Sequence, residues 1–384
     1  MSAVDLNPRP GVNLTPKMPS TLGRRSKESK PSSSLLNRTW TIPLLLTTPF
    51  LLLYALNPTP SNPIHPFIFL SYKLPSSPQN GLYNKGPLDI LFVIFYTIFL
   101  TFIRNFFMSE ILLPSSRHFR ISSPGKQLRF AENTYTALYI ILFSGPIGIY
   151  LMYSTPGLWY FCIKGIYSSY PQQVHSGVFK TYYLIQAAFW LQQVVVMVLG
   201  LEARRKDFNQ LIGHHFVTVL LIALSYRFHF GFLGLAVYLS HDISDFFLCV
   251  AKSLNYMESG LQGYAFGVCV LVWIYLRHWI NGRILWSMLP GGEFETVGPE
   301  YKMDWEREMF KGPVANAVTF GLLGCLQGLN LFWLWCLGRA GYKFLFLGVA
   351  KDDRSGDEDE GEGEGEDVQV TGRVVKRRSG RVRC

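Results

Sequence analysis

The chain has 384 residues, of which 49% are hydrophobic, 15% aromatic and only 16% charged, and its mean hydropathy is +0.17. This composition is too apolar for an ordinary soluble enzyme, and the chain is too long for a single membrane span. The formal net charge of +10 carries information only through its location along the chain, and we expect no nucleic-acid partner.

The first 40 residues are polar and rich in Pro, Ser, Lys and Arg. They lack the apolar core and small-residue cleavage site of a signal peptide. Residues 1–40 are therefore predicted to be a disordered cytosolic tail.

Apolar runs of about 17 to 25 residues, the length that crosses a hydrocarbon core, recur along the rest of the chain. Eight such runs are predicted as spans: 41–57, 88–108, 133–153, 179–201, 211–229, 231–249, 261–281 and 314–338. The fold class is therefore predicted as all-α, a polytopic membrane helical bundle with about eight transmembrane helices. The first two spans fall in residues 41–124.

Basic side chains concentrate in two connections between the predicted spans, residues 114–132 and 202–210. By the positive-inside rule these segments face the cytosol. Both termini are then cytosolic, and the loop 282–312 is lumenal.

The C-terminal residues 346–384 are acidic and then basic, with ten carboxylates between residues 352 and 367. Like charges in blocks repel one another, so this tail is predicted to be disordered and cytosolic. The alternative to a merely solvated tail is a regulatory one, in which Ser355, which precedes acidic residues, is phosphorylated. The tail takes ten of the 26 acidic residues, which leaves few for the membrane domain.

Two of the remaining carboxylates, Asp242 and Asp245, lie inside a predicted span, where a charge costs about 2.5 to 3.5 kcal/mol even on a lenient scale. They are three residues apart and so share one helix face. His214 and His215 lie near the start of the preceding span. At about 1.5 Å per residue, His214 and Asp245 both lie roughly 9 to 10 Å from the cytosolic face. We therefore predict that the histidines and carboxylates line one pocket.

Two other interpretations of these histidines are open. A membrane histidine often serves as an interhelical hydrogen-bond partner. Imidazole and carboxylate also suit iron, but a membrane di-iron site needs many more histidines than one HH pair. We therefore predict no metal. The six scattered cysteines suggest neither a disulfide framework nor a zinc site.

The remaining intramembrane polar residues are predicted to be structural. Interhelical contacts or cavity lining are expected of Gln186, Gln192, Gln193, Gln327 and Asn330. Arg277 and His278 are placed near the lumenal end of a span, where a snorkelling role is expected.

Residues 179–256 resemble the core of the ceramide synthases, the sphingoid-base N-acyltransferases of the endoplasmic reticulum that carry a TLC domain. The resemblance is carried by RRKDF, HHxVT, HDxSDxFL and KxxNY, and further on by WIYLRHWINGRILWS (273–287) and LNLFWLWCLGRAGYKF (329–344). It covers most of residues 125–345, which are predicted to form the TLC catalytic membrane domain. The acidic tail and the lack of a homeobox-like segment resemble the fungal members.

The resemblance implies transfer of a fatty acyl group from acyl-CoA to the amine of sphinganine or phytosphingosine, with acyl-CoA as co-substrate and no cofactor. It implies His214, His215, Asp242 and Asp245 as the active-site residues, with His241 a secondary candidate in the same motif. One histidine, with His214 slightly favoured, would accept the acyl group or direct its transfer, and the other would accept a proton. The two carboxylates would orient the imidazoles and bind the substrate ammonium.

Three cations before the histidines, Arg204, Arg205 and Lys206, are candidates for binding the CoA phosphates. Determination of topology explains the same charges without a ligand. Besides the bilayer, the expected partners include a small accessory membrane subunit or further copies of this chain in a homo-oligomer. The alternative functions are a non-catalytic TLC-domain lipid-handling or membrane-insertion factor, and a proton-coupled transporter that uses the carboxylates as a relay.

Overall fold

The computed structural model describes residues 38–75, 81–121, 123–200 and 206–347, and most of these residues are helical. The predictions for residues 1–37 and 348–384, which cover nearly all of both tails, lie outside the described residues, as do Arg204 and Arg205.

Eleven helices and two short strands are described. In chain order they are α1 (Thr41–Leu56), α2 (His65–Ile68), β1 (Leu82–Tyr83), α3 (Leu88–His118), α4 (Pro124–Ser154), α5 (Ile163–Ser168), β2 (His175–Ser176), α6 (Gly177–Val198), α7 (Phe208–Arg227), α8 (Gly231–Tyr256), α9 (Gln262–Ser287), α10 (Glu293–Thr296) and α11 (Pro313–Leu347). The strands pair antiparallel, with Leu82 opposite Ser176 and Tyr83 opposite His175.

Seven of the described helices, α3, α4, α6, α7, α8, α9 and α11, are long and apolar enough to cross a membrane. α1 is apolar but has 16 residues, which reach about 24 Å against a hydrocarbon core of about 30 Å. The chain is thus an all-α, multi-pass membrane protein, as predicted. The first predicted span, 41–57, corresponds to α1, which is shorter than the seven helices that are long enough to cross.

Three of the long helices contain a π-helical segment: Phe107–Leu112 in α3, Ile140–Ser144 in α4 and Ile274–Ile280 in α9. A π-helical turn inserts an extra residue and so rotates the side chains that follow it relative to an α-helix. Such turns occur frequently at functional sites. Two of these three segments supply side chains to the site described below.

α8 lies at the centre of the bundle and packs against α4, α7 and α9. Its apolar side chains Leu235, Ala236 and Leu239 are at most 1% exposed. Large apolar side chains on the outer helices, such as Leu142 and Leu271, are instead at least 70% exposed. Apolar side chains are thus exposed on the outside of the bundle, where a soluble protein would have polar ones. This exposure is expected of helices whose outer faces contact lipid.

α7 and α8 are joined by a tight turn, residues 228–230, in which His229 adopts a positive φ of 65°. A connection this short makes the two helices antiparallel neighbours. The C-terminal half of α8 therefore lies beside the start of α7, where the two adjacent histidines are.

Candidate active site

The four predicted site residues lie in the interior of the bundle at the same end. His214 and His215 are in the second turn of α7 and are 6% and 8% exposed, and Asp242 on α8 is 3% exposed. Asp245 lies one turn further along α8, with its side chain 24% exposed. Because α7 and α8 are antiparallel neighbours, the histidine pair and the carboxylate pair lie at the same end of the bundle.

His214 sits among aromatic rings. Its centroid is 5.7 Å from that of Trp190, 5.2 Å from that of Trp333 and 5.6 Å from that of His215, all in edge-on geometry. Its Nδ1 atom is buried and makes no hydrogen bond with the residues that the structure describes. The ring is therefore positioned by packing.

His215 is oriented by its own helix. Its Nδ1 lies 2.8 Å from the carbonyl oxygen of Leu211. A carbonyl only accepts, so Nδ1 carries the proton and the basic lone pair is on Nε2.

Asp242 is held by hydrogen bonds from two other helices. Ser144, at the end of the π-helical segment of α4, and Gln186 on α6 both donate to Oδ2 of Asp242. Gln186 in turn accepts from the Tyr139 hydroxyl at 2.6 Å. Because the amide oxygen of Gln186 is occupied by that donor, its NH₂ group is directed at the carboxylate.

Asp245 forms a buried ion pair with Arg277. The guanidinium Nη2 is 2.6 Å from Asp245 Oδ1, and Nε donates to the Ser244 hydroxyl at 2.6 Å. The Arg277 guanidinium also stacks on Trp273, 4.1 Å from the ring centroid. The prediction that Arg277 snorkels to the interface is therefore wrong. Arg277 is 1% exposed, since the π-helical turn of α9 directs it inward to a carboxylate partner.

His241 has a structural environment. Its Nδ1 donates to the Val237 carbonyl at 2.9 Å, and its Nε2 accepts from the Asn330 amide at 3.3 Å. The orientation of Asn330 is set by Arg277, which donates to its Oδ1 at 3.0 Å. With both ring nitrogens engaged, His241 links α8 to α11 and is not positioned as a base.

The hydrogen bonds of the two carboxylates thus differ from those predicted. Neither Asp242 nor Asp245 bonds the His214 or His215 imidazole in the described structure; their partners are on α4, α6 and α9. Gln186, predicted as structural, belongs to this network. The only sequence signal for such partners was a polar side chain in the middle of an apolar span.

The other glutamines predicted to be structural differ in what they contact. Gln327 bonds Asn281 at 2.7 Å and His278 at 2.6 Å, which is the predicted interhelical contact. Gln193 lines a cavity. Gln192 is fully buried, and its amide has no hydrogen-bond partner among the described residues.

Two cavities meet at His214. An apolar cavity of about 360 Å³ lies between α7, α8 and α11, and a polar cavity of about 210 Å³ lies toward the start of α7. His214 and Trp190 line both cavities. His241 and Asp242 line the apolar one, and Asp245 lines the polar one.

The apolar cavity follows one face of each of its three helices. Its lining residues on α7 are spaced three or four apart, which is the spacing of a single helix face; they include His214, Thr218, Leu221, Ser225 and Phe228. Along α7 this face extends roughly 21 Å at about 1.5 Å per residue. Met303, Trp305 and Phe310, from the loop before α11, close the far end.

The polar cavity is lined by four cationic side chains, Arg104, Arg129, Lys252 and Arg277. Asp207 and Glu132 lie among them. Lys206, one of the three predicted phosphate-binding residues, is exposed in the turn before α7 and is not among the described residues that line this cavity. Among the described residues, the cations that line this cavity therefore come from α3, α4, α8 and α9.

In the part of the chain that the structure describes, no three His, Cys, Asp or Glu side chains are grouped so as to hold a metal ion. That the site uses no cofactor stays a prediction.

Comparison with known proteins identifies the family of this membrane domain. The family model of the TLC domain matches residues 129–339, more than half of the chain. The chain belongs to the TLC-domain family. The matched range contains all four predicted site residues and, with them, Ser144, Gln186, Arg277 and Asn330.

Three relatives of this TLC-domain protein are fungal proteins named for N-acyl transfer or ceramide synthesis. Sphingosine N-acyltransferase-like protein FUM17 of Gibberella moniliformis is 49% identical over 329 residues, 84% of each chain. Sphingosine N-acyltransferase lac1 of Schizosaccharomyces pombe is 42% identical, over 84% of this chain and 82% of that protein. Ceramide synthase LAG1 of Saccharomyces cerevisiae is 41% identical, over 81% of this chain and 76% of that protein. The resemblance drawn from the motifs is thereby confirmed.

Proposed function

We propose that this protein is a ceramide synthase, which transfers a fatty acyl group from acyl-CoA to the amine of a sphingoid base such as sphinganine or phytosphingosine. The relatives named sphingosine N-acyltransferase or ceramide synthase support this assignment. The single observation that carries it is the position of His214, at the junction of a basic polar cavity and a long apolar one.

The two cavities match the two parts of an acyl-CoA. The CoA phosphates pair with the cations of the polar cavity, since guanidinium groups bind phosphate with charge-assisted hydrogen bonds. The acyl chain extends along the apolar cavity, which is roughly 21 Å long. One leaflet is half of the ~30 Å hydrocarbon core, so the cavity is longer than one leaflet is thick. The thioester carbon that joins the two parts then lies beside His214.

His214 is the acyl acceptor in this mechanism. An imidazole nitrogen attacks the thioester carbon, the C–S bond breaks, and the acyl group passes to His214 while CoA leaves as a thiolate. The amine then attacks the acyl carbon, the C–N bond to the imidazole breaks, and the amide is released. His214 fits this step because it contacts both cavities, whereas His215 lines the polar one.

His215 is the proton acceptor. The substrate ammonium must lose one proton before it attacks, and the nitrogen loses a second as the amide forms. One of these protons neutralises the CoA thiolate, and the other leaves through His215 Nε2, the basic nitrogen set by the Leu211 carbonyl. Asp242, on the wall of the apolar cavity, attracts the ammonium.

The acyl-chain preference is set at the far end of the apolar cavity. Met303, Trp305 and Phe310 line this end, and all three lie in the segment 282–312 before α11. A longer chain needs this end to open, so the residues that close it select the chain length.

Membrane orientation follows from the positions of the basic connections. Arg117 in the last turn of α3 and Arg120 in the α3–α4 connection lie at the polar-cavity end of the bundle, as does Lys206 before α7. By the positive-inside rule this end faces the cytosol, where acyl-CoA is available. We assign the protein to the endoplasmic reticulum membrane, with both termini cytosolic, and retain a small accessory subunit or a second copy as a partner.

The assignment is tested with purified protein, a panel of acyl-CoAs and sphinganine or phytosphingosine. Wild type is expected to form the amide, and with acyl-CoA alone to acquire the acyl mass on the α7 peptide that contains His214. His214→Gln should give neither adduct nor amide. His215→Gln should form the adduct but release amide slowly.

The outcomes distinguish amide synthesis itself from the covalent step at His214. If wild type makes no amide with any pair of substrates, the protein is a non-catalytic member of the family. If the amide forms but no adduct is trapped on His214 in single turnover, the amine attacks the thioester directly and His214 acts as a base.

A further inference from the structure

A third cavity, of about 760 Å³, lies on the outside of the bundle between α3, α6 and α7. We call it the lateral crevice. Its volume is within the range of small-molecule sites. It contains none of the predicted catalytic residues, so the acyl-transfer mechanism does not use it.

The lining of the lateral crevice has two parts. One part is apolar and is formed by Val93, Leu184, Ala187, Leu191, Val219 and Ala223. The end at the α7–α8 turn is charged and is formed by Lys85, Asp89, Arg227, His229 and Glu308. An amphiphile with a polar head at that turn and a tail along α7 matches this division.

The two carboxylates at the charged end differ in their partners. Asp89 pairs with the buried Lys180 at 2.7 Å and accepts from the Tyr226 hydroxyl at 2.8 Å. Glu308 is half exposed and lies 3.3 Å from Nε2 of His229, which is neutral near pH 7 because burial and the nearby Lys85 lower its pKa to about 4. The charge of Asp89 is thus compensated from within the protein, and Glu308 leaves one negative charge at this end of the crevice.

Two cations of the crevice are not compensated. Among the described residues, no carboxylate lies within ion-pair distance of Lys85 or Arg227. Lys85 Nζ donates to the Tyr226 carbonyl at 3.0 Å and lies 3.3 Å from Nδ1 of His229. With Asp89 neutralised by Lys180, these two cations face the single carboxylate of Glu308, so the crevice presents one net positive charge to a headgroup when Lys85 is protonated.

The environment of Lys85 supports an anionic ligand. Burial, together with the nearby Lys180, lowers the pKa of Lys85 to about 7. Asp89 and Glu308 oppose this shift, and Arg227 adds to it. A bound anion would offset the same repulsion and restore the charge on the ammonium.

The charge of the crevice argues against the substrates of the proposed reaction. The ammonium of a sphingoid base would be repelled by Lys85 and Arg227. The cationic cavity suited to CoA is at the opposite end of α7. Ala223 is exposed on the outer face of α7, so a tail can enter from the surrounding hydrocarbon.

We propose that the lateral crevice binds an anionic membrane lipid, with its headgroup at Lys85 and Arg227 and one acyl chain between α3, α6 and α7. Tyr183 and Ile222 line both this crevice and the apolar cavity. A lipid tail in the crevice therefore packs against the other side of the wall that encloses the apolar cavity.

The test is photocrosslinking of full-length protein in phosphatidylcholine vesicles that contain a trace of phosphatidic acid with a diazirine in its acyl chain. Peptides from α6 and α7 around Leu191 and Val219 should be labelled. The Lys85→Gln/Arg227→Gln variant should lose labelling roughly 30-fold, since each cation contributes about a fivefold factor to anionic-lipid binding. Arg227→Lys should keep it.

Arg283→Gln is the matched control, because Arg283 is an exposed cation near the end of α9 at the same end of the bundle. It should label like wild type. Equal labelling of wild type and the double variant, or equal labelling by a diazirine phosphatidylcholine, would overturn the proposal in favour of non-specific annular lipid. Loss of labelling on adding inorganic phosphate would also overturn it, since the site would then bind the free anion. The readout is binding, so it does not depend on acyl transfer.

Discussion

At the residue scale, the Asp242 carboxylate is the site group that depends on donors from two other helices. It is almost fully buried and depends on donors from α4 and α6. Removing one donor from a buried charged acceptor leaves part of its desolvation cost uncompensated, typically about 1.5 to 3 kcal/mol.

Gln186→Leu is therefore expected to lower kcat for amide formation roughly 10- to 100-fold, because Asp242 loses a donor and the Tyr139 hydroxyl loses its acceptor. Gln192→Leu is the matched control on the same helix. Gln192 is equally buried but has no hydrogen-bond partner among the described residues, so this variant should retain activity and stability. Equal kcat for Gln186→Leu and wild type would exclude Gln186 from positioning Asp242.

Lys85 gives a pH-dependent prediction. Its pKa is about 7 in the folded protein against an ordinary value of 10.5, so between these pH values the unfolded chain binds more protons and stability rises with pH. Below about pH 7 the folded protein must hold a buried, charged lysine.

Lys85→Met removes this cost and should raise the thermal unfolding temperature in neutral detergent, more at pH 6 than at pH 9. Tryptophan fluorescence during heating measures the effect. A stabilisation that is the same at both pH values would show that the ammonium is not destabilised by its burial.

At the element scale, the apolar cavity arises because α7, α8 and α11 each present an apolar face to the others. On α11 the lining residues include Ala315, Thr319 and Leu322, which recur every three or four positions. Small side chains on this face leave space that larger ones would fill.

Ala315→Trp is expected to shorten the acyl chains that the protein transfers, since an indole at this position fills the far end of the apolar cavity. Ala317→Trp is the matched control, because Ala317 is exposed on the same helix and is not among the lining residues. Product analysis with a mixture of acyl-CoAs measures the preference. An unchanged chain-length distribution for Ala315→Trp would show that the chain does not enter this cavity.

At the scale of the whole molecule, the two ends of the bundle differ in charge and in what they recognise. The end at the start of α7 gathers Arg104, Arg129 and Lys252 around the polar cavity. The α7–α8 turn end has the loop that closes the apolar cavity and, on the outside, the lateral crevice.

Arg129→Gln should raise the KM for acyl-CoA about tenfold and leave kcat nearly unchanged, because a charge-assisted phosphate contact acts on binding. The KM of wild type for acyl-CoA should also rise with salt, since these charges are partly exposed. Arg283→Gln, at the opposite end, is the control and should change neither. A fall in kcat with unchanged KM would place Arg129 in the chemistry instead of in CoA binding.

The sequence by itself determined the fold class and the family. Apolar run lengths depend only on composition and on the thickness of the hydrocarbon core. The motifs around His214 and Asp242 are local in the chain, and the rise per residue of a helix predicts matching depths for them.

The tertiary structure decided the partners of those residues. Ser144 and Arg277 reach the two carboxylates from π-helical segments, whose extra residue changes the direction of the side chains that follow, and no apolar pattern records it. The predicted snorkelling of Arg277 was wrong for this reason. The cavities likewise form between helices distant in sequence. Local patterns determined which segments are long and apolar enough to cross the membrane, and packing between helices determined which of their polar residues meet.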